Sequence, residues 1–250
     1  MRTERFEECL AADAARLREA VAGNPAAPVP TCPGWTVTDL AEHVTNVYRH
    51  KTEIMRSGAF PEDWSPTPET GDPLAGFDRA YAELAGELAA RDPEESVPSW
   101  YPADQTVGFW ARRMAHETVI HRVDGELAAG LPRAPIPADL AVDGVDEVLV
   151  RFLEHGSRHW PDDFGDALTP LDGRAVRVTT TAGGSWLVLL TPDGVTVTTD
   201  DAGEAAATVT GDPETVLLWL WRRGGPDGLT FGGDTALVDV LHELMAKPTL

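Results

Sequence analysis

One segment restricts the possible folds more than any other. WARRMAHETVIHRVD, from Trp110 to Asp124, sets two ionisable side chains into a stripe of helical period. Val107, Trp110, Met114, Glu117, His121, Asp124 and Ala128 alternate in steps of three and four residues, as one face of an amphipathic helix does. Glu117 and His121 are therefore expected to be buried. Burying both is costly without a partner, and a divalent metal accepts a carboxylate and an imidazole alike. At about 100° per residue the two lie about 40° apart on successive turns, whereas His116 and His121 diverge by about 140°. His116 is thus the weaker ligand candidate. Catalytic zinc typically takes three protein ligands and leaves a position for water or substrate, so a third donor must come from elsewhere.

The best donor is His43. Thr36 fits a helix N-cap with Asp39 three residues on, and Val37, Leu40, Val44, Val47 and Tyr48 form the buried stripe that follows. His43 flanks that stripe, and Asp39, one turn earlier, is placed to hold its free ring nitrogen. The same spacing equally fits an ordinary histidine at a helix seam and a Glu117–arginine salt bridge.

Helical and strand signals separate along the chain. Phe6, Cys9, Leu10, Ala14, Leu17 and Val21 predict a first helix that stops at Gly23-Asn24-Pro25; a second runs from Gly34-Trp35 to about Arg56. A polar loop holding Pro61, Pro66, Pro68 and Pro73 leads to a third helix through Leu74, Phe77, Tyr81, Leu84 and Leu88, ended by Asp92-Pro93. The fourth carries Glu117 and His121. Gly130 to Pro137 reads as a hinge, and Leu140, Val145, Val148, Leu149 and Phe152 predict a further helix. Beyond about Pro170 the period changes. Val176 and Val178, Trp186 to Leu190, and Val195 and Val197 predict short strands, with Thr191-Pro192-Asp193-Gly194 as a hairpin turn. Helices are expected over Pro213 to Arg223 and Thr235 to Met245, and the intervening glycines 224, 225, 232 and 233 read as turns, since their spacing is neither Rossmann nor P-loop. The fold class is α+β, with domains 1–137 and 138–250.

At 250 residues with 42% apolar content the chain can bury two cores. Its net charge of −21, with only two lysines, disfavours nucleic acid and anionic membrane as partners. No apolar run approaches the ~20 residues of a membrane span, and the polar start MRTERFEEC lacks a signal-peptide core, so a cytoplasmic location is expected, with Cys9 and Cys32 as free thiols.

The stretch CPGWTVTDLAEHV (Cys32 to Val44), followed by FWARRMAHETVIHRVD (Phe109 to Asp124), resembles the mycothiol-dependent maleylpyruvate isomerase family. The likeness runs along the whole chain. It implies an N-terminal DinB-like four-helix bundle and a smaller, sterol-carrier-protein-like α+β C-terminal domain. It also implies zinc or another divalent metal held by His43, Glu117 and His121, and mycothiol as the thiol cosubstrate. An arginine near the end of the first C-terminal helix belongs to the pattern and falls on Arg222, with a role in binding a substrate carboxylate; favourable charge at a helix terminus is its alternative role.

The reading that follows is an enzyme in which zinc activates a low-molecular-weight thiol toward a small, maleylpyruvate-like electrophile, giving isomerisation or S-transfer. Two alternatives are a zinc hydrolase using metal-bound water and a non-catalytic metal- or ligand-binding module. The first lacks the HExxH pattern, and the second lacks the fourth protein ligand of a structural zinc. Cys32 is expected to act as a small hydrophobe, His155 and His159 to be solvated, and Trp35, Trp100, Trp110 and Trp160 to line core or cleft. No motif specifies an oligomeric state.

Overall fold

A computed structural model of the protein describes all residues except 63, 65–71, 200–202, 248 and 250. Pro66 and Pro68 of the expected loop lie outside the described residues. The chain divides into two compact units, Met1–Ala134 and Pro135–Leu250.

Four helices build the first unit: α1 (Thr3–Val21), α2 (Val37–Ser57), α3 (Pro73–Ala90) and α4 (Val107–Ala129). Local chemistry sets their ends. The Thr36 hydroxyl accepts from the Asp39 N–H while the Asp39 carboxylate accepts from the Thr36 N–H, so α2 starts in a complete capping box, and Gly58 ends it at a left-handed φ of 69°. Asp72 caps α3 with Pro73 at the first turn, and Thr106 caps α4. Helix α1 packs along α4, α2 along α3, and α2 also meets α4.

Helix α4 departs from the single inward stripe read in the sequence. From Val107 to Glu126 every residue is buried except Gly108 and Glu117. The polar side chains of its remaining faces are enclosed by neighbouring elements rather than solvated. Arg122, fully buried, lies 2.7 Å from the Asp13 carboxylate of α1 and 2.8 Å from Glu126. Arg16 of α1 also donates to Glu126 at 2.8 Å, and Arg122 Nη1 donates to the Ala134 carbonyl at 2.8 Å. This cluster ties α1, α4 and the end of the unit together. Burial pushes the Asp13 carboxyl up to about 6, and Arg122 only partly offsets it. Gly125 lets the two helices approach closely, since a Cβ there would stand 3.1 Å from Leu17 Cδ1.

The second unit opens with one long helical run: α5 (Ala138–Asp146), a π-helical segment Glu147–Glu154, and α6 (His155–His159). A 3₁₀ segment, Pro161–Leu168, leads to a five-stranded sheet of β1 (Arg174–Thr180), β2 (Ser185–Thr191), β3 (Gly194–Thr198), β4 (Ala207–Gly211) and β5 (Thr230–Gly233). The order is β3-β2-β1-β4-β5; β1 and β4 are parallel and the other pairs antiparallel. Helix α7 (Pro213–Leu220) packs on α5, and α8 (Thr235–Leu244) on the sheet.

Two expectations need correction, and a third narrows. Gly232 and Gly233, read as turns, lie in β5, where a Cβ on Gly232 would meet Thr208 Oγ1 at 2.6 Å; the glycines permit close strand approach. His155 is buried, not solvated: its ring stacks on His159 with centroids 3.9 Å apart and meets Trp160 edge-on. Trp160 itself is 45% exposed, so it lines no core.

Removing Arg122 leaves Asp13 and Glu126 buried with less compensation. Arg122→Ala is therefore expected to destabilise the protein by about 3–5 kcal/mol, read as a shift in the urea unfolding midpoint at unchanged m-value. A shift of less than about 1 kcal/mol would show that the cluster is dispensable.

Candidate metal centre

His43 on α2 and Glu117 and His121 on α4 converge. His43 Nε2 lies 3.1 Å, and His121 Nε2 3.3 Å, from the same carboxylate oxygen, Glu117 Oε1. The three candidate donor atoms all fall within 4.8 Å of one another. The histidine rings stand edge to face, centroids 4.8 Å apart. Glu117 also accepts from Arg113 Nη2 at 2.8 Å through its other oxygen. Both arrangements that the spacing allowed, the histidine cluster and the arginine salt bridge, are thus present on one carboxylate.

The His121 ring is held from behind. The His121 Nδ1 lies 3.0 Å from Asp124 Oδ2, a contact across one helical turn. Asp124, fully buried, accepts from Thr31 Oγ1 at 2.5 Å and from the Cys32 thiol at 3.6 Å. The loop before α2 makes these contacts possible. In Cys32-Pro33-Gly34-Trp35 the Trp35 N–H donates to the Cys32 carbonyl at 3.0 Å, with proline at the second position and Gly34 at a φ of 87°, the pattern of a type II turn. The turn points Cys32 at Asp124 and sets the Trp35 ring 4.9 Å from His43 and 6.3 Å from His121. Cys32 is therefore a polar neighbour of the cluster, not a filler of the core.

Asp39 does not hold His43. Its carboxylate is engaged by the backbone and hydroxyl of Thr36, both at 2.7 Å, which also keeps it below the usual carboxylate range. His116 is 1% exposed, packs edge-on against Phe6 and stands outside the cluster. A cavity of about 450 Å³ opens beside His43, walled by Trp35, Asp39, Glu42, His50 and Trp64.

Burial acts against charge on His121, but Glu117 and Asp124 outweigh it and raise the ring to about 9. Partial burial likewise opposes ionisation of Glu117, yet His121, His43 and Arg113 hold it well below the usual carboxylate value. The His121 ring thus lies between two carboxylates, Glu117 and Asp124, that favour its charged form.

Arg222 belongs to the second unit. It follows α7 with a left-handed φ of 59°, is exposed, and its Nη1 donates to the His242 carbonyl at 2.9 Å. Its neighbour Arg223 is buried and donates to the Trp221 and Thr249 carbonyls, both at 2.8 Å.

Two family models match the chain in order: the mycothiol maleylpyruvate isomerase N-terminal domain over residues 7–126 and the MDMPI C-terminal domain over 139–239. Together they span most of the sequence, and the chain belongs to the mycothiol-dependent maleylpyruvate isomerase family. Among solved structures, the mycothiol-dependent maleylpyruvate isomerase aligns over 93% of both chains with a TM-score of 0.65 at 15% identity. A histidine-to-alanine mutant of that enzyme aligns over the same shares at 0.63 and 13%. At these identities the likeness establishes the α+β fold. No curated protein matches the chain in sequence.

The raised His121 value has a consequence for stability. A ring whose value rises from 6.5 to about 9 on folding stabilises fully below 6.5, and that contribution is lost as the pH climbs through 9. Lys51, lowered from 10.5 to about 8, acts in the opposite sense above about pH 8. Urea unfolding with chelator present is expected to show the His121 contribution shrinking from pH 6.5 to 8, and His121→Gln should flatten that trend. An equal slope in both proteins would contradict it.

Proposed function

We propose that this protein is a metal-dependent and thiol-dependent enzyme, with mycothiol as cosubstrate, that isomerises a small, maleylpyruvate-like electrophile or transfers the thiol to it. Family membership supports the reaction class. The observation that carries the metal is the convergence of His43 Nε2, His121 Nε2 and Glu117 Oε1, with a cavity in front and Asp124 behind the His121 ring.

The donor set fits the ion. Two imidazoles and one carboxylate are the ligand types of catalytic zinc, and three protein donors leave room for an exogenous one. Bound there, zinc or another divalent metal favours the thiolate over the thiol and so supplies a nucleophile near neutral pH. The chain's own residues do the rest. Asp124 fixes the His121 ring so that Nε2 faces Glu117, and Thr31 and Cys32 fix Asp124. Trp35 walls the cavity at His43. In isomerisation a carbon–sulfur bond forms at one alkene carbon as the π electrons move onto the carbonyl as an enolate, the remaining single bond rotates, and elimination restores both double bond and thiolate; if the enolate is instead protonated at carbon by solvent water and released, the adduct is the product of S-transfer. Arg222 is proposed as the catalytic arginine that pairs with a substrate carboxylate, so Arg222→Ala should keep metal content and lose turnover of anionic electrophiles.

His43→Ala and His121→Ala are each expected to reduce metal stoichiometry at least tenfold, His116→Ala to leave it unchanged, and Asp124→Asn to weaken affinity about 10- to 100-fold. Elemental analysis after dialysis reads the first three and chelator competition the last. Mycothiol-dependent turnover should follow occupancy. Full occupancy in His121→Ala would refute the ligand assignment, and full turnover in metal-free protein would refute metal dependence.

A further inference from the structure

Two turns beyond His43 on α2, His50 and Lys51 make a basic pair that neither the ionic ties of the fold nor the candidate ligands use. Lys51 is one of only two lysines in a chain of net charge −21. Its ammonium lies 2.8 Å from His50 Nδ1 and 5.2 Å from the centroid of the Trp110 ring. Among the described residues no carboxylate stands within ion-pair distance of it. Arginines at the surface of the same bundle are by contrast paired, Arg18 with Asp78 and Arg56 with Glu83 and Glu87.

An ammonium taken from water without a counter-charge is costly. Burial lowers Lys51 to about 8, with the Glu117 charge acting to raise it and Arg113 to lower it further. Glu117 does not neutralise it, because its two oxygens already face His43, His121 and Arg113. Burial and the Lys51 charge hold His50 down at about 4. Near neutral pH His50 is therefore uncharged: Nδ1 accepts from the ammonium and Nε2 carries the ring proton. Two of the three ammonium hydrogens are left without a hydrogen-bond partner among the described residues.

His50, to which the Lys51 ammonium is joined, borders a ligand-sized space. His50 stacks on Trp64 with centroids 4.8 Å apart, and both line the cavity that His43 lines. Eight residues separate His43 from Lys51, about 12 Å of helix rise. Helix α4 runs the other way past them and brings Trp110 to Lys51 and Glu117 to His43.

We propose that His50 and Lys51 form an anion subsite, binding a carboxylate of a small dicarboxylic or keto acid whose electrophilic carbon lies toward His43, Glu117 and His121. The subsite deepens the proposed function and rests on it for that orientation; the anion binding itself does not. The carboxylate supplies the missing counter-charge, and the Trp110 ring, 5.2 Å from the ammonium, adds a cation–π attraction.

The two lysines make the test direct, since protein grown with ¹³C-lysine gives two Cε signals, of which Lys51→Met removes one. Succinate, a dicarboxylate without an electrophilic carbon, is expected to shift the Lys51 signal saturably and raise its titration midpoint from about 8. Uncharged succinamide should move neither signal. Lys51→Met should weaken succinate binding roughly tenfold or more by calorimetry, and Lys51→Arg should restore it to within a few fold. A Lys51 signal unmoved by saturating succinate, or wild-type succinate affinity in folded Lys51→Met, would overturn the subsite. If Lys51→Met does not fold, the wild-type signal and Lys51→Arg decide. These titrations contain no thiol and no metal. Succinate binding at Lys51 in a protein with no mycothiol-dependent turnover would therefore refute the enzymatic reading and uphold the subsite.

Discussion

The Glu117 carboxylate is shared by groups from two helices. One of its oxygens faces His43 and His121 at 3.1 and 3.3 Å, and the other takes the Arg113 guanidinium at 2.8 Å. Apart from Gly108 in its first turn, Glu117 is the one residue between Val107 and Glu126 that is not buried, so an opening in an enclosed helix coincides with the point where the candidate donors meet. A carboxylate in that position must be compensated to be retained, and the compensation brings α2 and α4 into register.

That register depends on interactions outside the cluster. Asp13, Arg16, Arg122 and Glu126 connect α1 to α4, so the helix carrying two of the three candidate donors is fixed at its C-terminal end. The type II turn at Pro33-Gly34 does the same for the loop before α2, aiming Thr31 and Cys32 at Asp124 and Trp35 at His43. Rigid helices with polar supports behind the donors are what a metal site requires, because small displacements of a ligand cost affinity.

The sequence made the helices legible where apolar period and capping agreed, as in Thr36–Asp39 with the stripe that follows. The pairing of Glu117 with His121 was legible for the same reason, since both lie one turn apart on one helix. What lay beyond reach depended on contacts distant in the chain. Asp39 had the right spacing to support His43, but its backbone cap competes successfully for the carboxylate. Asp124 was visible on the stripe, whereas its partners Thr31 and Cys32 come from more than ninety residues away. Strand β5 was hidden because its glycines, which suit a turn, are here needed for close approach to β4. His155 looked solvated because its neighbours are polar, and burial came from helix packing that no local pattern encodes.

The account depends on the Glu117 cluster being a metal site with one exchangeable position. Titration with cobalt(II), followed by optical absorption, tests this most directly. It predicts one ion per chain, visible bands of an intensity typical of four- or five-coordinate cobalt, and a new near-ultraviolet thiolate-to-cobalt band when mycothiol is added. Weak octahedral bands that mycothiol leaves unchanged, or no stoichiometric binding at all, would contradict it.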